Sequence, residues 1–145
     1  MILTGQRDAV SAWLVSRIRD MPSFNSKEFE AIGVVRDGQI IGGVLYCHYS
    51  GLPDGTFDIH MSCAGEPGWL TKATLRAFFS YPFGQLGCSR VTTLAAKANK
   101  KARDLNKRLG FVHEGTIRGA FGENKHGILF GMLKKECRWI QEITL

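Results

Sequence analysis

The chain has 145 residues, a length that suits one domain with a core of its own. Its 44% apolar content includes no run near the length of a membrane span, and the opening M-I-L-T-G-Q-R-D lacks the basic segment and apolar core of a secretory signal, so a soluble cytoplasmic protein without membrane association is expected. Nineteen Lys and Arg against thirteen Asp and Glu give a formal charge of +6, which suits an anionic partner, whether a nucleotide-bearing cofactor, a nucleic acid or a ribosome, without choosing among them.

Taken in order, residues 4–20 read as an amphipathic helix with Val10, Trp13, Leu14 and Ile18 on one face, ended by Pro22 and followed by a polar connection over 22–27. No full strand precedes it; at most Ile2 and Leu3 form a remnant. Residues 29–36 and 39–49 read as a β-hairpin turned at Asp37-Gly38, which supplies the positive φ angles of a tight reversal. Gly42 and Gly43 stand inside its second strand, where glycine signals a bulge, a close approach or tight packing under a helix. Pro53-Asp54-Gly55 turns the chain into a strand over Phe57–Cys63, with Phe57, Ile59, Met61 and Cys63 on one face and Asp58, His60 and Ser62 on the other.

A helix is expected from Pro67, burying Leu70, Ala73, Ala77 and Phe78 and stopped by Pro82 and Gly84. Arg90–Ala96 reads as a buried strand. Next come a helix from Asn99 to Leu109, a strand over Val112–Phe121, a turn at Gly122–Lys125 and a strand over Gly127–Leu133. The tail from Glu136 to Leu145 is amphipathic. This is an α/β order with a mixed sheet and no repeat or linker. Cys47, Cys63, Cys88 and Cys137 are far apart and form no C-x-x-C pair, so reduced buried thiols are expected rather than disulfides or a metal site.

The stretch from Asn99 to Gly115, N-K-K-A-R-D-L-N-K-R-L-G-F-V-H-E-G, carries the most specific signal. Ala102, Leu105 and Leu109 give an apolar stripe, basic residues fill most of the remainder, and Gly110 closes the helix by entering the left-handed region without strain. A helix led by Asn and closed by Leu-Gly-Phe, with Glu-Gly soon after, resembles the GNAT superfamily of acyl-CoA-dependent N-acyltransferases. The nearest branch acetylates ribosomal-protein N-termini and includes prophage-borne relatives. The resemblance implies a single GNAT-fold domain over 1–145: a mixed, mostly antiparallel sheet flanked by helices, here with its first strand reduced or absent.

It further implies transfer of acetyl from acetyl-CoA to a primary amine by direct attack. The acceptor could be a protein N-terminus, a small amine or a nucleobase; a homodimer is compatible, and no metal is needed. In the family a strand splays from its neighbour and pairs with the pantetheine arm, and the next loop opens a helix whose N–H groups hold the pyrophosphate. By position these are Phe57–Cys63, with Met61 and Cys63 at its end, and the loop Ala64–Leu70. The family's phosphate motif falls on Gly65, Glu66, Pro67, Gly68, Trp69 and Leu70, of which only Gly68 matches; Leu70 replaces a small residue and Glu66 adds negative charge. Asn99 would bond the pantetheine arm or cap its helix, and Arg103 would reach a phosphate.

The usual thiolate-protonating Tyr is Asn106 here, and the alternative Ser is Ala102, so Tyr81 and Ser62 are the remaining candidates. His60 is the candidate base, with Asp58 to orient it, against the plainer reading of a wet strand face. Glu114 is expected to be structural. A dedicated nucleic-acid module is not indicated, since the basic helix lacks interleaved aromatics and its stripe is needed for the core. The competing function is a GNAT-fold binding or assembly protein that has lost catalysis, or a phage-type nucleobase modifier.

Overall fold

The computed structural model describes residues 1–18 and 29–141; the connection expected over 22–27 and the last four residues lie outside them. The elements are β1 (Ile2–Leu3), α1 (Arg7–Arg17), β2 (Phe29–Arg36), β3 (Gln39–Gly51), β4 (Phe57–Gly65), α2 (Lys72–Ser80) with a π turn over Tyr81–Gln85, β5 (Cys88–Ala96), α3 (Lys100–Leu109), β6 (Val112–Ile117), β7 (Gly127–Leu133) and a 3₁₀ turn over Lys134–Glu136. The expected remnant of a first strand is present and pairs with β2.

The seven strands form one sheet in the order β1-β2-β3-β4-β5-β7-β6. Every pairing is antiparallel except β4 with β5, which is parallel. A parallel pair needs a crossover connection, and α2 supplies it. The hairpin turns where expected, with Asp37 at φ 53° and Gly38 at φ 77°.

The glycine pair in β3 has a packing explanation on each face. Gly43 is opposite Gly33 on β2, and a Cβ on either would come within 2.9 Å of Val10 on α1. Gly42 is opposite Gly65 on β4, and there the Trp69 ring lies against both backbones. Two glycine pairs in register therefore let α1 settle on one face and Trp69 on the other. The faces carry separate cores. Val10 and Leu14 pack with Ala31 and Leu45 under α1. Phe78, Phe79, Phe83, Val91, Phe130 and Met132 belong to the larger cluster under α2 and α3.

Besides shifts of two or three residues at the starts of α1 and β5 and the ends of β3 and β4, three boundaries differ from expectation for identifiable reasons. The second helix starts at Lys72, because Thr71 and Thr74 form a reciprocal capping box, Thr74 N–H to Thr71 Oγ1 at 3.1 Å and Thr71 N–H to Thr74 Oγ1 at 2.8 Å. Thr71 in extended conformation ends the preceding loop. Its buried face is consequently Thr74, Leu75, Phe78 and Phe79, while Ala73 is exposed. The α-helix ends at Ser80, just ahead of Pro82 as expected, but the winding goes on as a π turn, with Leu86 N–H donating to Tyr81 O at 3.0 Å. Pro82 has no N–H to offer the Phe78 carbonyl four residues back, and Tyr46 Oη donates to that carbonyl at 2.5 Å. Finally, β6 stops at Ile117, since the chain then turns through left-handed Gly119, Gly122 and Asn124.

Past β7 the tail returns to α3. Arg138 donates to Arg108 O, and Trp139 Nε1 donates to Leu109 O at 2.8 Å, which satisfies carbonyls that a helix end leaves without partners. All four cysteines are free thiols, and burial pushes Cys47 and Cys88 up to about 11 and Cys63 to about 12. Among the described residues no helix is long and apolar enough to cross a membrane.

Tyr46 is 1% exposed, so Tyr46→Phe removes a buried donor and leaves the Phe78 carbonyl short of it. Urea unfolding should show a loss of about 1–3 kcal/mol.

Candidate active site

The parallel strands diverge. β4 and β5 pair from Phe57–Cys88 to His60–Thr92 and no further, although both continue. Beyond that point β4 keeps its partner on the β3 side through Gly65, and β5 keeps its partner on the β7 side through Ala96. The Thr93 hydroxyl donates to Met61 O at 2.8 Å at the base of the fork. Ser62, Cys63, Ala64 and Gly65 thus have no strand partner on the β5 side, the arrangement in which an extended amide-bearing ligand can pair with a strand edge.

The fork is filled by side chains. Met61 and Cys63 from β4, Thr93 from β5, Trp69 and Leu70 from the loop, and Asn106 from α3 border a cavity of about 20 Å³, space for a single water. Trp69 is its largest wall. A Cβ at Gly65 would lie 2.2 Å from the Trp69 ring and one at Gly42 2.5 Å from it, and the ring packs against Phe78 at 5.6 Å between centroids. These residues fit a pantetheine arm only with Leu70 and Trp69 displaced. Asn106, at the position where the resemblance expects the acid, does face the fork.

The opposite face carries the polar groups. Ala64 packs beneath α1, and strand alternation puts Ser62, His60 and Asp58 on that same side. Asp58 accepts from the Thr92 hydroxyl at 2.8 Å and lies 3.5 Å from Arg90 Nε and 3.8 Å from His60 Nε2. A bulge between Cys47 and Ser50 brings His48, at φ 55°, beside His60 with ring centroids 4.9 Å apart. Burial holds the His60 imidazole below its ordinary value; Asp58 opposes this, while His48 and Arg90 add to it. His60 and Thr92 are the last paired residues before the fork opens, so the candidate base stands at the junction. Ser62 is next along the same face. Tyr81 is elsewhere: it packs edge-on against Tyr46, 4.9 Å between centroids, on the α2 side of the sheet.

The loop Ala64–Leu70 departs from its expected form. Ala64 and Gly65 belong to β4, Gly68 turns at φ 90°, and the helix begins only after Thr71. The capping box occupies the N–H groups of Thr71 and Thr74, two of the donors a phosphate would use. Glu66 is countered by Arg17 at 3.5 Å, and Arg36 donates to Pro67 O at 3.5 Å. Sequence reading overlooked both arginines, which lie 49 and 31 positions away; nothing local marks them. Asn99 performs the capping role, its side chain accepting from Ala102 N–H at 3.1 Å. One turn on, Arg103 Nε is buried without a hydrogen-bond partner, an orphaned donor suited to an anionic group. Among the described residues no cluster suits a metal ion.

No protein-family profile matches the chain. Over 70 residues it is 33% identical to the Bacillus subtilis (strain 168) protein named "Putative ribosomal N-acetyltransferase YdaF", a match covering 46% of this chain and 38% of that protein. Among solved structures it is similar to a spermidine N-acetyltransferase SpeG variant from Vibrio cholerae, with a TM-score of 0.69 and 16% identity over 93% of this chain and 94% of that one. It is also similar to ribosomal-protein-S5-alanine acetyltransferase from Vibrio fischeri, with a TM-score of 0.61 and 18% identity over 76% of this chain and 64% of that one. The chain has the GNAT acetyltransferase fold, while spanning less than two thirds of the length of its curated relative and of the Vibrio fischeri enzyme.

The glycine floor beneath Trp69 is testable. Gly65→Ala forces a methyl group into the indole, and overpacking of this kind should cost about 1–3 kcal/mol in urea unfolding with an unchanged slope.

Proposed function

We propose that this chain transfers acetyl from acetyl-CoA to a primary amine by direct attack. The observation that carries the reading is the end of β4–β5 pairing at His60 and Thr92, which leaves a strand edge open beside a candidate base. The GNAT fold and the acetyltransferase names of its relatives support it. Acetyl-CoA supplies the activated thioester; its pantetheine arm would lie along Ser62–Gly65 once Leu70 and Trp69 yield, and Arg103, Arg36 and the head of α3 would meet its phosphates. The SpeG and S5-alanine acetyltransferase relatives are named for a small amine and a ribosomal protein, and the acceptor here is proposed to be an amine of one of these kinds.

His60 would take the proton as the amine attacks, with Asp58 steadying the imidazolium. A base works in its neutral form. Because burial holds His60 below its ordinary value, its neutral form persists to lower pH than that of a free imidazole, and the rate falls when acidification passes the lowered midpoint. No acidic side chain faces the fork at Asn106, so water would protonate the departing thiolate. The filled fork and Asn106 also favour a second reading, a GNAT-fold binding protein that no longer catalyses.

The thermal midpoint with and without acetyl-CoA separates the two. At about a hundred times its Kd a ligand specific for the folded state adds about 2.7 kcal/mol; Leu70→Ala, which widens the fork, should bind more tightly still. No stabilisation of either protein would favour the binding-module reading. Where transfer is measured by thiol release, His60→Ala should lower kcat about 10²–10⁴-fold and erase the acid limb of the pH profile, while leaving the thermal response to acetyl-CoA intact.

A further inference from the structure

We propose that Glu114, on β6 and away from the fork, sets the charge that His60 meets beside Asp58 by holding Arg90, and so acts as a positioning residue for the candidate base. The inference deepens the acetyl-transfer reading, which names His60 as the base, but its primary readout does not require transfer.

The chain of contacts joins residues on three strands, β6, β5 and β4, and spans a fourth, β7. Glu114 Oε1 lies 2.7 Å from Arg90 Nη2 and Oε2 lies 3.5 Å from Nη1, so the carboxylate faces both ends of the guanidinium. The remaining nitrogen, Arg90 Nε, donates to Thr92 Oγ1 at 3.2 Å and stands 3.5 Å from Asp58 Oδ1. Asp58 also receives the Thr92 hydroxyl at 2.8 Å, and its other oxygen lies 3.8 Å from His60 Nε2. β5 and β6 are not neighbours; β7 runs between them. The pair closes across it because β7 carries glycine at that point: a Cβ on Gly131 would lie 2.3 Å from Glu114 Oε1 and 2.5 Å from Arg90 Nη2. Any other residue at 131 would have to push the pair apart.

Arg90 is therefore shared between two carboxylates. While Glu114 draws the guanidinium towards β6, Asp58 keeps most of its negative charge for His60. Without that pull, Arg90 turns to Asp58 and brings an uncompensated positive charge towards the imidazole. The groups acting on His60 are Asp58 on its own strand, His48 on β3 and Arg90 on β5; Cys47 is its register partner on β3 and stays a neutral thiol, raised to about 11. From α1, Arg17 reaches Glu66, beyond the end of β4.

NMR titration of the imidazole C–H signals in the ligand-free protein, with His60 assigned from His60→Ala, tests the coupling. Glu114→Gln should lower the His60 midpoint by about half a pH unit, and Arg90→Gln should raise it by a similar amount, as a unit charge acting through partly screened surroundings requires. The double variant should return close to the parent. His126, bound by Gly119 N–H in the β6–β7 turn, should not move in any of them. A His60 midpoint unchanged in both single variants, or shifts of the same sign, overturns the proposal, as does an equal shift at His126. If the midpoints move as stated but no variant or parent releases thiol from acetyl-CoA, the coupling stands and only the transfer reading falls. If transfer is present, the acid limb of kcat should follow the same order of midpoints.

Discussion

One short stretch of parallel pairing holds two rigid half-sheets together. β1 to β4 form an antiparallel unit, and β5, β7 and β6 form another. Among the described residues the only ladder between them is the run from Phe57–Cys88 to His60–Thr92. Each half carries its own hydrogen bonds, and the joint opens at one end, where β4 and β5 run on without pairing to each other. The opening lies beyond His60 and Thr92. It places unpaired backbone at β4, and it puts His60 where the paired region ends.

The two faces at this joint differ in what they hold. On one, α2 and α3 press a large aromatic core against the strands, and Trp69 with Leu70 close the gap. On the other, α1 covers only part of the sheet, and the uncovered part bears Asp58, His60, Arg90 and Glu114. Chemistry at such a joint would use both faces, with an extended donor entering along the strand edge and an amine approaching over the carboxylates. The glycines belong to the same design. Gly42 with Gly65 accept Trp69, Gly33 with Gly43 accept Val10, and Gly131 lets a charged pair close above its strand. In each place an absent Cβ makes room for someone else's side chain.

Much of the architecture was legible because it is written locally. The Asp37-Gly38 turn, the alternation along Phe57–Cys63, the Asn99 cap and the Gly110 stop each depend on residues a few positions apart, and each is found. The Asn-to-Gly-Phe helix also pointed to the GNAT fold. The start of α2 was misread because Pro67 is a familiar first-turn residue, whereas the reciprocal Thr71–Thr74 cap is the signal that governs. The α-helix ends ahead of Pro82 as expected, but the π turn after it is not legible, since the Tyr46 hydroxyl that supplies the missing donor comes from 36 positions upstream in a strand. At the candidate site, the polar side of β4 follows from periodicity, and the place of Asn106 follows from the family resemblance. The filling of the fork, the Arg17–Glu66 pair and the Arg90–Glu114 link follow from neither, since each depends on how distant strands and helices meet.

The end of α3 has a bearing on how the protein is made. Its last carbonyls are closed by Arg138 and Trp139, each thirty residues downstream of the residue it serves. During synthesis the helix can wind as soon as Gly110 has emerged, but its terminus stays open to solvent while the β6–β7 hairpin is still being added. The residues that seal it, Arg138 and Trp139, follow that hairpin in the chain. Closure of the basic helix therefore depends on residues that are synthesised after the β6–β7 hairpin.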